Sequence, residues 1–199
     1  FKRLNNLAGT KISANYPDEY KQILKFSNSL NSILSEDRFI ARSDYNGLVK
    51  EYSSLPPFID TLNKSQLLKT YVETNNLDLN VIERFSETYR KMTDIANVPD
   101  FIKKHNDEFV RKHIKGEKKY LDLILKECDP NIMLDDEQRE VILSNEDYTL
   151  VIAGAGAGKT TTVAAKVRYL VEKQGVNPEQ ILVISFTNKA VEELRERIN

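Results

Sequence analysis

Apolar residues change their rhythm once along this chain, near residue 130, and the change separates two kinds of sequence. From Asp18 to about Ala96 they return every three or four positions in short bursts, the spacing of amphipathic helices, with polar breaks expected at Ser43-Asp44, Pro56-Pro57 and Asn75-Asn76. Residues 1–98 are therefore read as an all-helical accessory region. Its aromatic residues, Tyr20, Phe26, Tyr52, Phe58, Tyr71 and Phe85, have flat faces on which bases can stack, but their spacing is that of a packed core, which is the expected role. A long helix is expected after Pro99, where Ile102, His105, Phe109, His113, Tyr120 and Ile124 recur at helical steps.

Past the turn-like Asp129-Pro130-Asn131 the pattern alternates between strand and helix signals. Residues 148–152 and 181–184 are short, almost wholly apolar runs, as suits parallel strands covered on both faces. Between them the sequence predicts a crossover helix from Thr160 to about Lys173, ended near Gly175 and Pro178. Strand, helix and strand at this length form a right-handed βαβ unit with its ligand site at the strand's carboxyl end. The expected class is α/β, a parallel sheet preceded by an all-helical region. The expected organisation is residues 1–98, a connecting helix and turn over 99–133, and the first part of an α/β domain, incomplete, over 134–199.

Composition narrows the chemistry. A chain of 199 residues can bury a core, and 29 basic against 30 acidic residues leave no overall charge that would attract nucleic acid, so any such contact must be local. The basic residues Lys103, Lys104, Arg111, Lys112, Lys115, Lys118 and Lys119 are interleaved with acids and read first as a solvated face, with a DNA-backbone contact as the alternative. One cysteine, Cys128, excludes an internal disulfide, and with only two histidines a structural zinc site is not expected. His105 and His113 lie two turns apart on one face, but no acidic or cysteine ligand has matching spacing. No run is long enough to span a membrane, and residues 1–5 lack the apolar core of a signal peptide. A reducing, cytoplasmic setting is expected, with the true start upstream because the chain opens on Phe1 rather than Met.

The chemistry concentrates in Ala153-Gly154-Ala155-Gly156-Ala157-Gly158-Lys159-Thr160, which follows one apolar run and opens a helix. Glycines let a backbone curl around phosphate with its N–H groups inward, and a helix N-terminus directs positive potential at the same charge. In such a phosphate-binding loop Lys159 reaches the β- and γ-phosphates and Thr160 coordinates Mg²⁺, with Thr161 beside them in the ATP site. Ala153 departs from the glycine of the strict pattern, and the alternative, a glycine-rich turn without a ligand, would sacrifice backbone entropy for no packing gain.

Two flanking segments discriminate among nucleotide-binding proteins. Residues 134–140, Leu-Asp-Asp-Glu-Gln-Arg-Glu, place Gln138 upstream of the loop, where its amide can pair with an adenine edge or, with Asp135, close a capping box. Residues 185–198 place Phe186, Thr187 and Asn188 just after the second apolar run, where Phe186 can be core and Thr187 or Asn188 a helix cap. In this order and spacing the three segments resemble the Q motif, motif I and motif Ia of UvrD-like superfamily I DNA helicases, helicase IV-like members most of all, over residues 99–199. The resemblance implies a RecA-like domain in which Gln138 reads adenine and residues 153–160 hold ATP and Mg²⁺. It also implies that Phe186 stacks on a base of single-stranded DNA while Thr187 and Asn188 bind its backbone. Ser185 and Ala157 stand where many relatives have threonine and serine.

The implied activity is ATP-dependent translocation on single-stranded DNA, with 3′-to-5′ unwinding. The acidic motif and arginine fingers of that family are absent, so this chain is expected to be a fragment that binds nucleotide but hardly hydrolyses it. Two other readings stand beside it. One is a binding module that recruits DNA or a protein partner through residues 1–98. The other is a helicase-like ATPase that remodels RNA polymerase, against which the first hundred residues show no sustained heptads.

Overall fold

A computed structural model of the chain describes residues 12–13, 15–154 and 156–198. The opening residues, to which the signal-peptide reading applied, and Ala155 of the glycine loop lie outside the described residues. Among the described residues the structure is helical, and it divides into two compact units, Phe1–Asn106 and Asp107–Asn199.

The first unit is built on α1 (Asp18–Ser35), whose Tyr20, Ile23, Leu24, Phe26, Leu30 and Leu34 fall on one face at three- and four-residue steps and are all buried. Around it pack α2 (Arg42–Glu51), α3 (Leu55–Lys64), α4 (Leu68–Thr74), α5 (Leu79–Thr93) and the start of α6 (Asp100–Gly116). Phe26 meets Phe85 edge-on at 5.0 Å and Tyr52 at 5.8 Å, the geometry that ring quadrupoles favour. Tyr20, Phe26, Tyr52 and Phe85 are core, and Phe58 and Tyr71 pack at its margin. The expected polar breaks become helix ends. Asp44 accepts a hydrogen bond from the Ala41 N–H at the start of α2, Pro56-Pro57 occupy the first turn of α3, and Asn76 takes a left-handed φ of 51° after α4.

The expected long helix is broken. α6 stops at Gly116 and α7 (Lys118–Leu123) begins after Glu117. The two histidines serve the backbone: His105 Nε2–H donates to the Arg38 carbonyl at 2.8 Å, and His113 Nδ1–H to the Phe109 carbonyl one turn earlier at 2.9 Å. Asn106, which periodicity passes over, is buried between them. Its Oδ1 accepts from the Ile40 N–H at 2.8 Å and its Nδ2 donates to the Ile40 carbonyl at 2.9 Å, so one side chain completes both backbone groups of a wholly buried residue.

The second unit contains α7, α8 (Asp136–Leu143), α9 (Lys159–Glu172) and α10 (Asn188–Ile198), with a single 3₁₀ turn at Pro178–Gln180. Here the expected α/β class and its parallel sheet are overturned: no strand or bridge forms among the described residues. The crossover helix is present as α9 and ends as expected, Gly175 taking φ 66° so that the Val176 N–H turns back to the Leu170 carbonyl. The two runs beside it, 148–152 and 181–184, remain outside any ladder.

The reason is cover. Along 181–186 the side chains alternate, Ile181 and Val183 half-buried with Leu182, Ile184 and Phe186 exposed. Tyr148, Leu150 and Ile152 likewise stand in water. Parallel strands are stable when both faces are covered, and two strands alone make a marginal sheet. In this unit the two runs border an apolar cavity of about 580 Å³ against α9, while their other side chains have no packed layer.

Candidate functional site

Local sequence explains the shape of the glycine loop. Gly156 and Gly158 take φ of 78° and 76°, values that side chains with a Cβ rarely adopt, and Gly158 is the residue from which α9 starts. Its carbonyl accepts from the Thr162 N–H at 2.8 Å and from Thr162 Oγ1 at 3.0 Å. Lys159 folds back over the loop, its Nζ donating to the carbonyls of Ala153 at 2.9 Å and Gly154 at 2.5 Å. A loop closed by an ammonium group presents a positive charge beside the N-terminus of a 14-residue helix, the arrangement that attracts a multiply charged anion. Thr160 and Thr161 follow in the first turn, both partly exposed.

Gln138 is brought to this loop. It closes a capping box at the start of α8, its N–H donating to Asp135 Oδ1 at 2.8 Å and its Oε1 accepting from the Asp135 N–H at 3.1 Å. Its Nε2 also donates to the Ala157 carbonyl at 3.2 Å. Each amide atom retains a second hydrogen-bonding position, so capping leaves the side chain able to meet a further partner. A Cβ placed on Gly158 would lie 2.5 Å from Gln138 Nε2 and would make that amide swing aside, while the φ of 76° is what calls for glycine here. A cavity of about 490 Å³ lies between the loop and α8, lined by Gln138, Ala153, Gly154, Ala157 and Lys159 among others.

Phe186, Thr187 and Asn188 are placed at the start of α10. Phe186 is fully exposed, which excludes its core role among the described residues. Thr187 Oγ1 accepts from the Ala190 N–H at 3.2 Å, so the capping role is realised, and Asn188 is the first helical residue.

Sequence reasoning passed over Lys166. Its Nζ donates to the carbonyls of Ile142 at 2.7 Å and Ser144 at 2.5 Å, a cation placed on the last carbonyls of α8. Burial pushes its amine down to about 8. Because the folded value lies below the unfolded value of roughly 10.4, the unfolded chain binds more protons between the two. Stability from this group should therefore rise as pH rises from about 8 to about 9.5, below the range where the tyrosines Tyr71 and Tyr169, pushed up by burial to about 12, reverse the slope. Urea unfolding at pH 7.5, 8.5 and 9.5 should show a steeper rise for the wild type than for Lys166→Met. Equal slopes would show that the amine keeps its ordinary value.

Comparison with known proteins falls on this same unit. Residues 134–199 match the UvrD/REP helicase N-terminal domain. Over that stretch the chain is similar to UvrD-like DNA helicases. It is 44% identical over 66 residues to a probable DNA helicase II homolog of Mycoplasma capricolum, covering 33% of this chain and 9% of that protein. It is 45% identical over 65 residues to ATP-dependent DNA helicase UvrD1 of Mycobacterium leprae, with 33% and 8% covered. With ATP-dependent DNA helicase PcrA of Staphylococcus aureus the identity is 40% over 65 residues, with 33% and 9% covered. The chain thus spans less than a tenth of the length of each of these three relatives. No solved structure matches it.

Proposed function

We propose that this chain carries the ATP-binding and first DNA-binding segments of an ATP-dependent DNA helicase, a motor that moves on single-stranded DNA in the 3′-to-5′ direction. The observation that carries the reading is the junction of loop and helix: Lys159 and Gln138 line one cavity at the N-terminus of α9, which starts from a left-handed Gly158. These residues suit a nucleoside triphosphate. Residues 153–160 supply backbone N–H groups and Lys159 a charge for the phosphates, with Thr161 adjacent. Thr160 supplies a hydroxyl for Mg²⁺, and Gln138 an amide for adenine. The metal ion would neutralise phosphate charge during hydrolysis.

On the DNA side, an exposed phenylalanine at the head of a helix suits stacking on a base without regard to sequence, which a motor requires. Thr187 and Asn188, next to it, suit contacts to the DNA backbone. The expected result for Phe186→Ala is a loss of about 1–3 kcal/mol in binding to an oligo-dT strand, read by fluorescence anisotropy, with ATP affinity unchanged. Oligo-dT affinity equal to wild type would remove Phe186 from the DNA site.

A further inference from the structure

The loop and the helix that follows Phe186 are joined by a contact that neither motif accounts for. Arg197, near the end of α10, donates through Nη1 to Thr161 Oγ1 at 2.5 Å, reaching the first turn of α9 from 36 residues away. The guanidinium is held by Glu193 one turn earlier, its Nη2 lying 2.8 Å from the carboxylate, and it is about one-fifth exposed. The same end of α10 is fixed by buried Leu194 and by the Cys128 thiol, which donates to the carbonyls of Glu196 and Arg197 at 3.5 and 3.7 Å. The opposite end, carrying Phe186, Thr187 and Asn188, is exposed.

We infer that the Arg197–Thr161 hydrogen bond is the positioning contact through which occupancy of the loop sets the pose of the Phe186 end of α10, coupling nucleotide binding to single-stranded DNA binding. α10 is a rod of 11 residues, about 16 Å long at 1.5 Å per residue, anchored at one end. Thr161 adjoins Thr160 and Lys159, so an anion held at the start of α9 acts on the Arg197 charge and on the hydroxyl that it grips. A small displacement there is carried along the rod to its free end. The inference rests on the nucleotide- and DNA-binding reading above, and its test separates the two.

The affinity of the 199-residue chain for a fluorescein-labelled oligo-dT strand is measured with and without Mg²⁺ and a non-hydrolysable ATP analogue. Wild type is expected to change affinity by at least about fivefold, the low end of measured couplings between sites, and the strand must change nucleotide affinity by the same factor. Arg197→Met keeps the apolar stem and is expected to bind each ligand alone within about twofold of wild type, with its thermal melt preserved, while the coupling falls toward one. A contact that merely braced the fold would lower both affinities and leave their ratio alone. Coupling retained in Arg197→Met, or wild type that binds both ligands without coupling, overturns the inference and leaves the proposed function standing. Wild type that binds neither ligand overturns both.

Discussion

Lys159→Ala is expected to weaken Mg²⁺-ATP binding by about a hundredfold, because the ammonium group is the one full positive charge on the glycine loop and charge-assisted hydrogen bonds to phosphate contribute about 1.5–3 kcal/mol each. Isothermal titration measures the loss directly. The fold should hardly respond: in the free chain the side chain is exposed and bonds only to carbonyls of its own loop, so the melting temperature should stay within a few degrees of wild type. Lys159→Arg should recover little, since a planar fork replaces a point charge in a site that the glycines hold narrow. Nucleotide affinity unchanged in Lys159→Ala would remove the loop from the ATP site.

The second large effect is on stability. Asn106→Ala is expected to destabilise the first unit by about 2–4 kcal/mol, because it orphans both the N–H and the carbonyl of Ile40 inside the core, at about 1–3 kcal/mol for each unpaired buried group. Urea unfolding followed by far-ultraviolet circular dichroism reads it, with exposed Asn63→Ala as a control expected within about 0.5 kcal/mol of wild type. Equal midpoints for Asn106→Ala and wild type would mean that water or a shifted backbone meets Ile40 as well as Asn106 does.

Helices were legible in this sequence because their hydrogen bonds are local. The three- and four-residue recurrence of Tyr20, Ile23, Leu24 and Phe26 states a buried face without reference to any other segment, and α1 buries that face. The Asp135-to-Gln138 spacing states a capping box in the same way. A strand depends on partners that its own residues do not specify. The run 148–152 has the composition of a buried strand, yet Leu150 and Ile152 stay exposed, since composition records suitability for a sheet and not the presence of covering layers.

The candidate site divides along the same line. Gly158, Lys159 and Thr160 are adjacent in sequence and could be read together, and Gln138 was placed upstream of them. Its hydrogen bond to Ala157, 19 residues on, was not readable, nor was the grip of Arg197 on Thr161 across 36 residues. Arg197 is one of 29 basic residues, and nothing in its neighbourhood beyond Glu193 distinguishes it. Asn106 was missed for a related reason: a polar residue on a helical face counts against burial until its partner, 66 residues away, is known.

The central claim is tested most directly by ATP hydrolysis in the whole protein, measured with and without single-stranded DNA. The account predicts turnover that rises with the DNA and is lost in Lys159→Ala. Turnover indifferent to single-stranded DNA, or surviving the loss of Lys159, would contradict it.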